Sequence, residues 1–205
     1  MLSIRSAKKI CISVGIEKTK SFFLQMVFNI QPILENKQLI LYPLQESDFE
    51  DLYAVASDPK IWEQHPNKDR WKRDVFQNFF NGAIQSKGAF KIVEKISGKI
   101  IGCTRYYDYN EIENFILIGY TFYATSCWGK GFNPMVKKLM LDYIFQFVRK
   151  VHFHVGASNL RSQIAITRLG AEKIGEEDIA YFGEPSKLNF IYEISKENWE
   201  MLKSH

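Results

Sequence analysis

Ile118 to Pro134, IGYTFYATSCWGKGFNP, is the stretch whose reading decides the fold. Ile118 to Tyr123 mixes β-branched and aromatic residues, the composition of a strand. Trp128, Gly129, Lys130 and Gly131 then make a glycine loop, and from Met135 the apolar residues Val136, Leu139, Met140, Tyr143 and Phe147 recur at helical spacing as far as Arg149. That pattern puts Lys137, Lys138 and Asp142 on the wet face of the helix. Asn133 reads as its N-cap and Pro134 as its first residue. Strand, glycine loop and helix together let consecutive backbone N–H groups converge on an anion ahead of a helix N-terminus. Two glycines before a helix are also common in ordinary connections. The loop is not a nucleoside-triphosphate loop, because no GxxxxGK[ST] pattern closes, and GxGxxG is incomplete.

Toward the N-terminus, Asn114 to Ala124 is a strand interrupted by Gly119, a residue type that marks bulges and close backbone approaches. Asp108 to Asn114 is a turn, and 89–95 and 99–107 form a hairpin about Ile96, Ser97 and Gly98. Three antiparallel strands in a row are expected. Before them lie a strand over 38–44, a helix capped by Ser47 and running through Ala56, the polar connection 62–69, and a helix over 70–86. Beyond the central helix come a strand over 151–157, a short helix over 159–170 stopped by Gly170, and two strands within 171–182 and 187–194.

At 205 residues, 46% hydrophobic and 24% charged, the chain suits one sizeable α/β core. Aromatic residues make up 15% of it, enough for some rings to line a pocket. The net charge of +4 is local: Arg5, Lys8, Lys9, Lys18 and Lys20 outweigh Glu17 within residues 1–25, and the remainder is formally neutral. A neutral body is a poor footprint for a phosphate backbone, so nucleic-acid partners are not expected. The basic leader is too short in its apolar run for a membrane span or a secretory signal, and reads as an extension preceding a single domain over 26–205. Cys11, Cys103 and Cys127 lack C-x-x-C pairing and argue for a reducing, cytoplasmic compartment. The four histidines have no partners at ligand spacing, so no metal site is expected.

LILYPLQESDF (39–49), IGYTFYATSCWGKGFNP and NLRSQIAITRLGAEKIG (159–175), in that order, resemble the GNAT acyltransferase superfamily, closest to its ribosomal-protein N-terminal acetyltransferase branch. The resemblance runs from about Leu34 to Ile194. It implies a mixed, mostly antiparallel central sheet flanked by helices, with a splayed strand pair forming an acyl-CoA cleft. It further implies an acetyl-CoA-dependent N-acetyltransferase that moves an acetyl group directly to a primary amine, acting as monomer or homodimer. Thr121, Phe122 and Tyr123 would pair with the pantetheine arm, and Trp128, Gly129, Lys130, Gly131, Phe132 and Asn133 would hold the pyrophosphate. Asn159 would position the cofactor and Ser162 would meet the departing thiolate. Capping of the 159–170 helix by Ser158 or Asn159 explains both residues equally simply.

Some positions depart from the family pattern. Asn133 and Pro134 replace a small residue and an N–H donor, Ile166 stands where many relatives carry a tyrosine acid, and Leu117 where this branch often has a glutamate base. His65, Asp108, Glu111 and Glu113 remain candidate bases near the acceptor mouth, and Trp62, Glu63, Gln64, Tyr106, Tyr107, Tyr109 and Tyr181 candidate pocket residues. Cys127 lacks a paired histidine and is a poor nucleophile. A non-catalytic acyl-CoA-binding module is the rival reading, and the acceptor amine has no sequence signature.

Overall fold

The computed structural model describes residues 28–180 and 183–204. The basic leader, Cys11 and Tyr181 lie outside the described residues. Eight strands form one sheet: β1 (Leu34–Glu35), β2 (Leu39–Pro43), β3 (Ala89–Glu94), β4 (Ile100–Asn110), β5 (Phe115–Tyr123), β6 (Lys150–Gly156), β7 (Glu172–Ile179) and β8 (Lys187–Ser195). Their order across the sheet is β1-β2-β3-β4-β5-β6-β8-β7. Every neighbouring pair is antiparallel except β5 and β6. Five helices accompany them: α1 (Phe49–Ala56), α2 (Arg73–Gln85), α3 (Phe132–Ile144), α4 (Leu160–Thr167) and α5 (Lys196–Lys203). The fold class implied by the resemblance is present.

The sheet separates two sets of buried side chains. One gathers α3, Ile166 of α4 and Trp199 of α5 against Tyr106, Ile116, Ile118, Val151, Phe153 and Val155. The other places Leu52 and Ala56 of α1 and Phe76, Phe79, Phe80 and Ala83 of α2 against Ala89, Cys103 and Phe122. Cys103 and Tyr106 of β4, of opposite parity, thus serve opposite faces as the two-residue pleat requires, whereas Phe122 of β5 shares the parity of Ile116 and Ile118 and reaches the other face because a bulge intervenes.

The hairpin about Gly98 forms as expected, with Gly98 at φ 66°. Boundaries shift elsewhere. A 3-10 turn over Glu46–Asp48 precedes α1, so Asp48 and not Ser47 is the cap residue; its carboxylate accepts from Gln45 N–H at 2.8 Å. Strand β4 continues through the expected turn to Asn110, bulging at Asp108, whose φ is 48°. Tyr106 joins the core and donates from its hydroxyl to the Met140 carbonyl at 2.6 Å, so it lines no pocket. The short strand β1 and the terminal helix α5 carry weak local signals; α5 is placed by Ser195 capping Asn198 N–H and by Trp199 donating to Asp142 at 2.9 Å.

Candidate active site

Between β5 and β6 the sheet opens. Register pairs link Phe115 to Lys150, Ile116 to Val151 and Leu117 to His152, and none follow. Ile118–Tyr123 therefore has an unpaired edge on its β6 side, a strip of backbone that a ligand with amide groups can pair with. On the β4 side the register slips where Tyr120 and Thr121 stand against Thr104 alone, a bulge that bends the strand just as it leaves β6. The expected irregularity is here, but the positive φ, 53°, belongs to Tyr120 and not to Gly119. Gly119 is needed for space: a Cβ there would sit 3.0 Å from the Tyr107 ring. Tyr120 is held by the Arg105 guanidinium, 3.9 Å from its ring centre, and by an edge contact with Tyr107 at 4.9 Å.

Past β5 a 3-10 turn over Thr125–Cys127 delivers the loop to α3. Gly129 and Gly131 have φ of 75° and 77°, which glycine adopts without the steric strain of a side chain. Gly131 is the N-cap of α3. Asn133 is thus the second helical residue and not the cap, and Pro134 the third, a position where a missing N–H leaves no helical bond unmade. The Asn133 side chain instead accepts from the Tyr123 hydroxyl at 3.4 Å. Trp128 N–H is spent on the Thr125 carbonyl at 3.1 Å and Lys130 N–H on Cys127 at 3.4 Å. The N–H groups of Gly129, Gly131, Phe132 and Asn133 meet no acceptor among the described residues. Four donors at the positive end of α3 form a cradle whose chemistry fits a diphosphate. Arg161 of α4 lies 4.0 Å over the Trp128 ring, tying the loop to the next helix.

Asn159 caps α4, its side-chain oxygen accepting Ser162 N–H at 3.1 Å. Ser162 is half-buried, whereas Ile166 and Leu117 are buried, Ile166 within the apolar core. Cys127 is buried in the core among apolar neighbours.

Sequence reasoning misplaced Lys137. Only 2% of it is exposed, and its ammonium donates to Thr121 Oγ1 at 2.6 Å and Thr104 Oγ1 at 3.2 Å. Burial without a carboxylate partner pulls it from the ordinary lysine value of 10.5 to about 7. The signal was present: Lys137 shares its helical stripe with Leu141 and Ile144, at spacings of four and seven.

On the opposite face, beneath α2, a cavity of about 360 Å³ is lined by Gly82, Arg105, Tyr107, Asp108, Tyr120 and His154. Of the acceptor candidates read from the sequence, Tyr107 and Asp108 line this cavity. Burial, reinforced by the neighbouring His152, lowers the His154 ring to about 4, so it is neutral. His65 packs beside Arg70, whose guanidinium stands 3.1 Å from His65 Nε2. Burial first and Arg70 second hold His65 far below its usual range, so its Nε2 is occupied as an acceptor and not free as a base. Glu111 and Glu113 are exposed in the β4–β5 turn, and Tyr109 is packed against Phe28. A larger hollow, about 710 Å³, lies over β2 and β3 beside the Lys91–Asp48 ion pair, away from the cleft. Among the described residues no group of three His, Cys, Asp or Glu side chains could hold a metal ion, and no helix is long and apolar enough to cross a membrane.

The family model described as the acetyltransferase (GNAT) domain matches residues 38–172, which include the open strand edge, the glycine loop and α4. A GCN5-related N-acetyltransferase from Brucella melitensis superposes with a TM-score of 0.73 at 19% identity, over 85% of this chain and 83% of that one. A GNAT-family acetyltransferase from Bacillus anthracis gives 0.61 at 16%, over 81% and 99%. A spermidine N-acetyltransferase from Vibrio cholerae, solved with CoA and spermine, gives 0.62 at 19%, over 80% and 99%. No curated protein sequence matches the chain. The domain model covers well over half of the residues, and the chain belongs to the GNAT acetyltransferase family.

Proposed function

We propose that the protein is an acetyl-CoA-dependent N-acetyltransferase acting by direct transfer to a primary amine. The observation that carries this is the continuity of two features: a strand edge with no partner beyond Leu117, leading within a few residues to four unspent N–H groups at the start of α3. Gly129, Gly131, Phe132 and Asn133 would hold the pyrophosphate by these donors, with Lys130 adding charge from its exposed position. Thr121, Phe122 and Tyr123 would run beside the pantetheine arm. Asn159 keeps its amide nitrogen for the cofactor because capping uses only its oxygen. Ser162 would offer its hydroxyl to the thiolate.

In the transfer, the amine nitrogen forms a bond to the thioester carbon, the carbon–sulfur bond breaks, and the sulfur leaves as thiolate. The amine must lose a proton before attack, and an α-amino group near pKa ~8 does so far more readily than a lysine near ~10.4. With Leu117 and Ile166 both buried and apolar, neither supplies acid or base. Water admitted to the cavity beside the neutral His154 would carry the proton away.

The test pairs calorimetry of CoA binding with a radiolabelled acetyl-transfer assay over a panel of amines. Micromolar CoA binding with turnover on some amine supports the proposal. Binding without turnover on any amine overturns it in favour of an acyl-CoA-binding module, and no binding overturns both.

A further inference from the structure

Arg105 is 4% exposed, projects from β4 on the α2 side, and lines the cavity beside the cleft. It pairs across from Gly119, two residues past the last point at which β6 still holds β5. Two of its five N–H donors are used, one on the Gly82 carbonyl at 3.2 Å and one on Phe79 at 3.4 Å. Its Nε is buried and has no partner.

Among the described residues no neighbouring element gives this charge an ion pair. From α2 come only main-chain carbonyls, and from β5 the face of Tyr120. From β6 comes the neutral His154. The connection between Trp62 and α2 presents Arg70, a second guanidinium, 4.9 Å from the Phe79 ring that Arg105 also faces. Glu184 is already held by Arg70 at 2.7 Å. Asp108 stands on the cavity rim, where partial burial holds its carboxyl above the ordinary value against the opposing pull of Arg105, and the two make no ion pair. A buried guanidinium that makes no ion pair among the described residues, with the cavity's one carboxylate, Asp108, out at the rim, is an expensive arrangement unless a ligand supplies the anion.

We infer that the acceptor amine carries a carboxylate and that Arg105 is the residue that receives it, so the substrates are amino acids or other aminocarboxylates. This rests on the transfer reading above and adds the acceptor class to it. The unpaired charge of Arg105 also disfavours a polycation, so polyamines are poor acceptors here.

The experiment compares free amino acids with their carboxamides, and with spermidine, as acceptors for the wild-type protein. A charge-assisted pair predicts that each carboxylate is used at least tenfold better in kcat/KM than its amide, with spermidine worse than both. Arg105→Gln should reduce that ratio to about threefold or less, with CoA affinity retained, and Arg105→Lys should keep part of it. Equal use of acid and amide, preference for spermidine, or a ratio that survives Arg105→Gln overturns the inference. The wild-type comparison stands even if Arg105→Gln fails to fold. Should no amine turn over, calorimetry of the same acids and amides against the CoA-loaded protein still decides: selective binding of the acids supports the carboxylate site though transfer has failed, and equal or absent binding refutes it.

Discussion

Replacing Lys137 by methionine isolates one buried charge. In the folded chain its value is about 7, against an ordinary 10.5 that an unfolded chain restores. Between those limits the unfolded state holds a proton that the native state has given up, so native stability rises with pH by about 1.36 kcal/mol per unit and the contribution is flat below 7. At pH 7.5 the deprotonation required for folding costs about 4 kcal/mol, and at pH 9 about 2 kcal/mol. Methionine has a similar length and removes that cost along with two hydrogen bonds worth about 1 kcal/mol each. Thr104 and Thr121 remain bonded to each other at 2.8 Å, so neither is stranded.

Lys137→Met should therefore be more stable than the wild type by about 2 kcal/mol at pH 7.5 and nearly equal to it at pH 9. Urea titrations of both proteins between these pH values measure the difference directly. Cys103, whose thiol burial pushes up from 9.0 to about 12, begins to titrate in the unfolded chain near the top of this range, and its contribution is shared by both proteins and cancels in the difference. A difference that does not change with pH would mean that Lys137 keeps its proton in the fold, and the account of a neutral lysine fails.

Two loop positions give sharper readouts of binding. Gly131→Ala places a side chain at φ 77° in no more than ordinary contact with Met135 Cε at 3.9 Å, so it should cost about 1 kcal/mol of stability by strain alone and weaken CoA binding at least tenfold; an unaltered CoA titration would remove the loop from the binding site. Asn159→Ala loses the α4 cap and about 1 kcal/mol, whereas Asn159→Asp keeps the capping oxygen and loses only the amide. Weaker CoA binding in both variants, with destabilisation confined to alanine, assigns the amide nitrogen to the cofactor; normal binding in the aspartate variant leaves Asn159 a cap alone.

The strand, glycine loop and helix were legible because each depends on local rules: β-rich residues, glycines at positive φ, and an apolar stripe of period 3.6. The Ile96–Gly98 hairpin was readable for the same reason. What stayed hidden depends on contacts distant in sequence. The left-handed Tyr120 is stabilised by Arg105 and Tyr107 from another strand, and no property of tyrosine announces it. Lys137 was placed in water because lysine normally is, although its stripe said otherwise. The α3 start was read from the capping preference of Asn133, which lost to a glycine that can turn the chain two residues earlier.

Lys137 and Arg105 look unrelated in sequence, yet they clamp one feature. The bulge sets Tyr120 and Thr121 against Thr104, and Arg105 follows Thr104 directly. Because neighbouring strand residues point to opposite faces, Arg105 stacks on Tyr120 from the α2 side while Lys137 bonds Thr121 and Thr104 from the α3 side. Neither basic side chain has a carboxylate partner among the described residues, so near neutral pH each is less stable where it sits than an apolar residue of equal size would be. Such local conflicts persist where geometry serves a purpose beyond stability. Here the geometry served is the direction of β5 just past the point where it leaves β6, and that direction sets both the free strand edge and the angle at which the chain enters the loop of N–H donors.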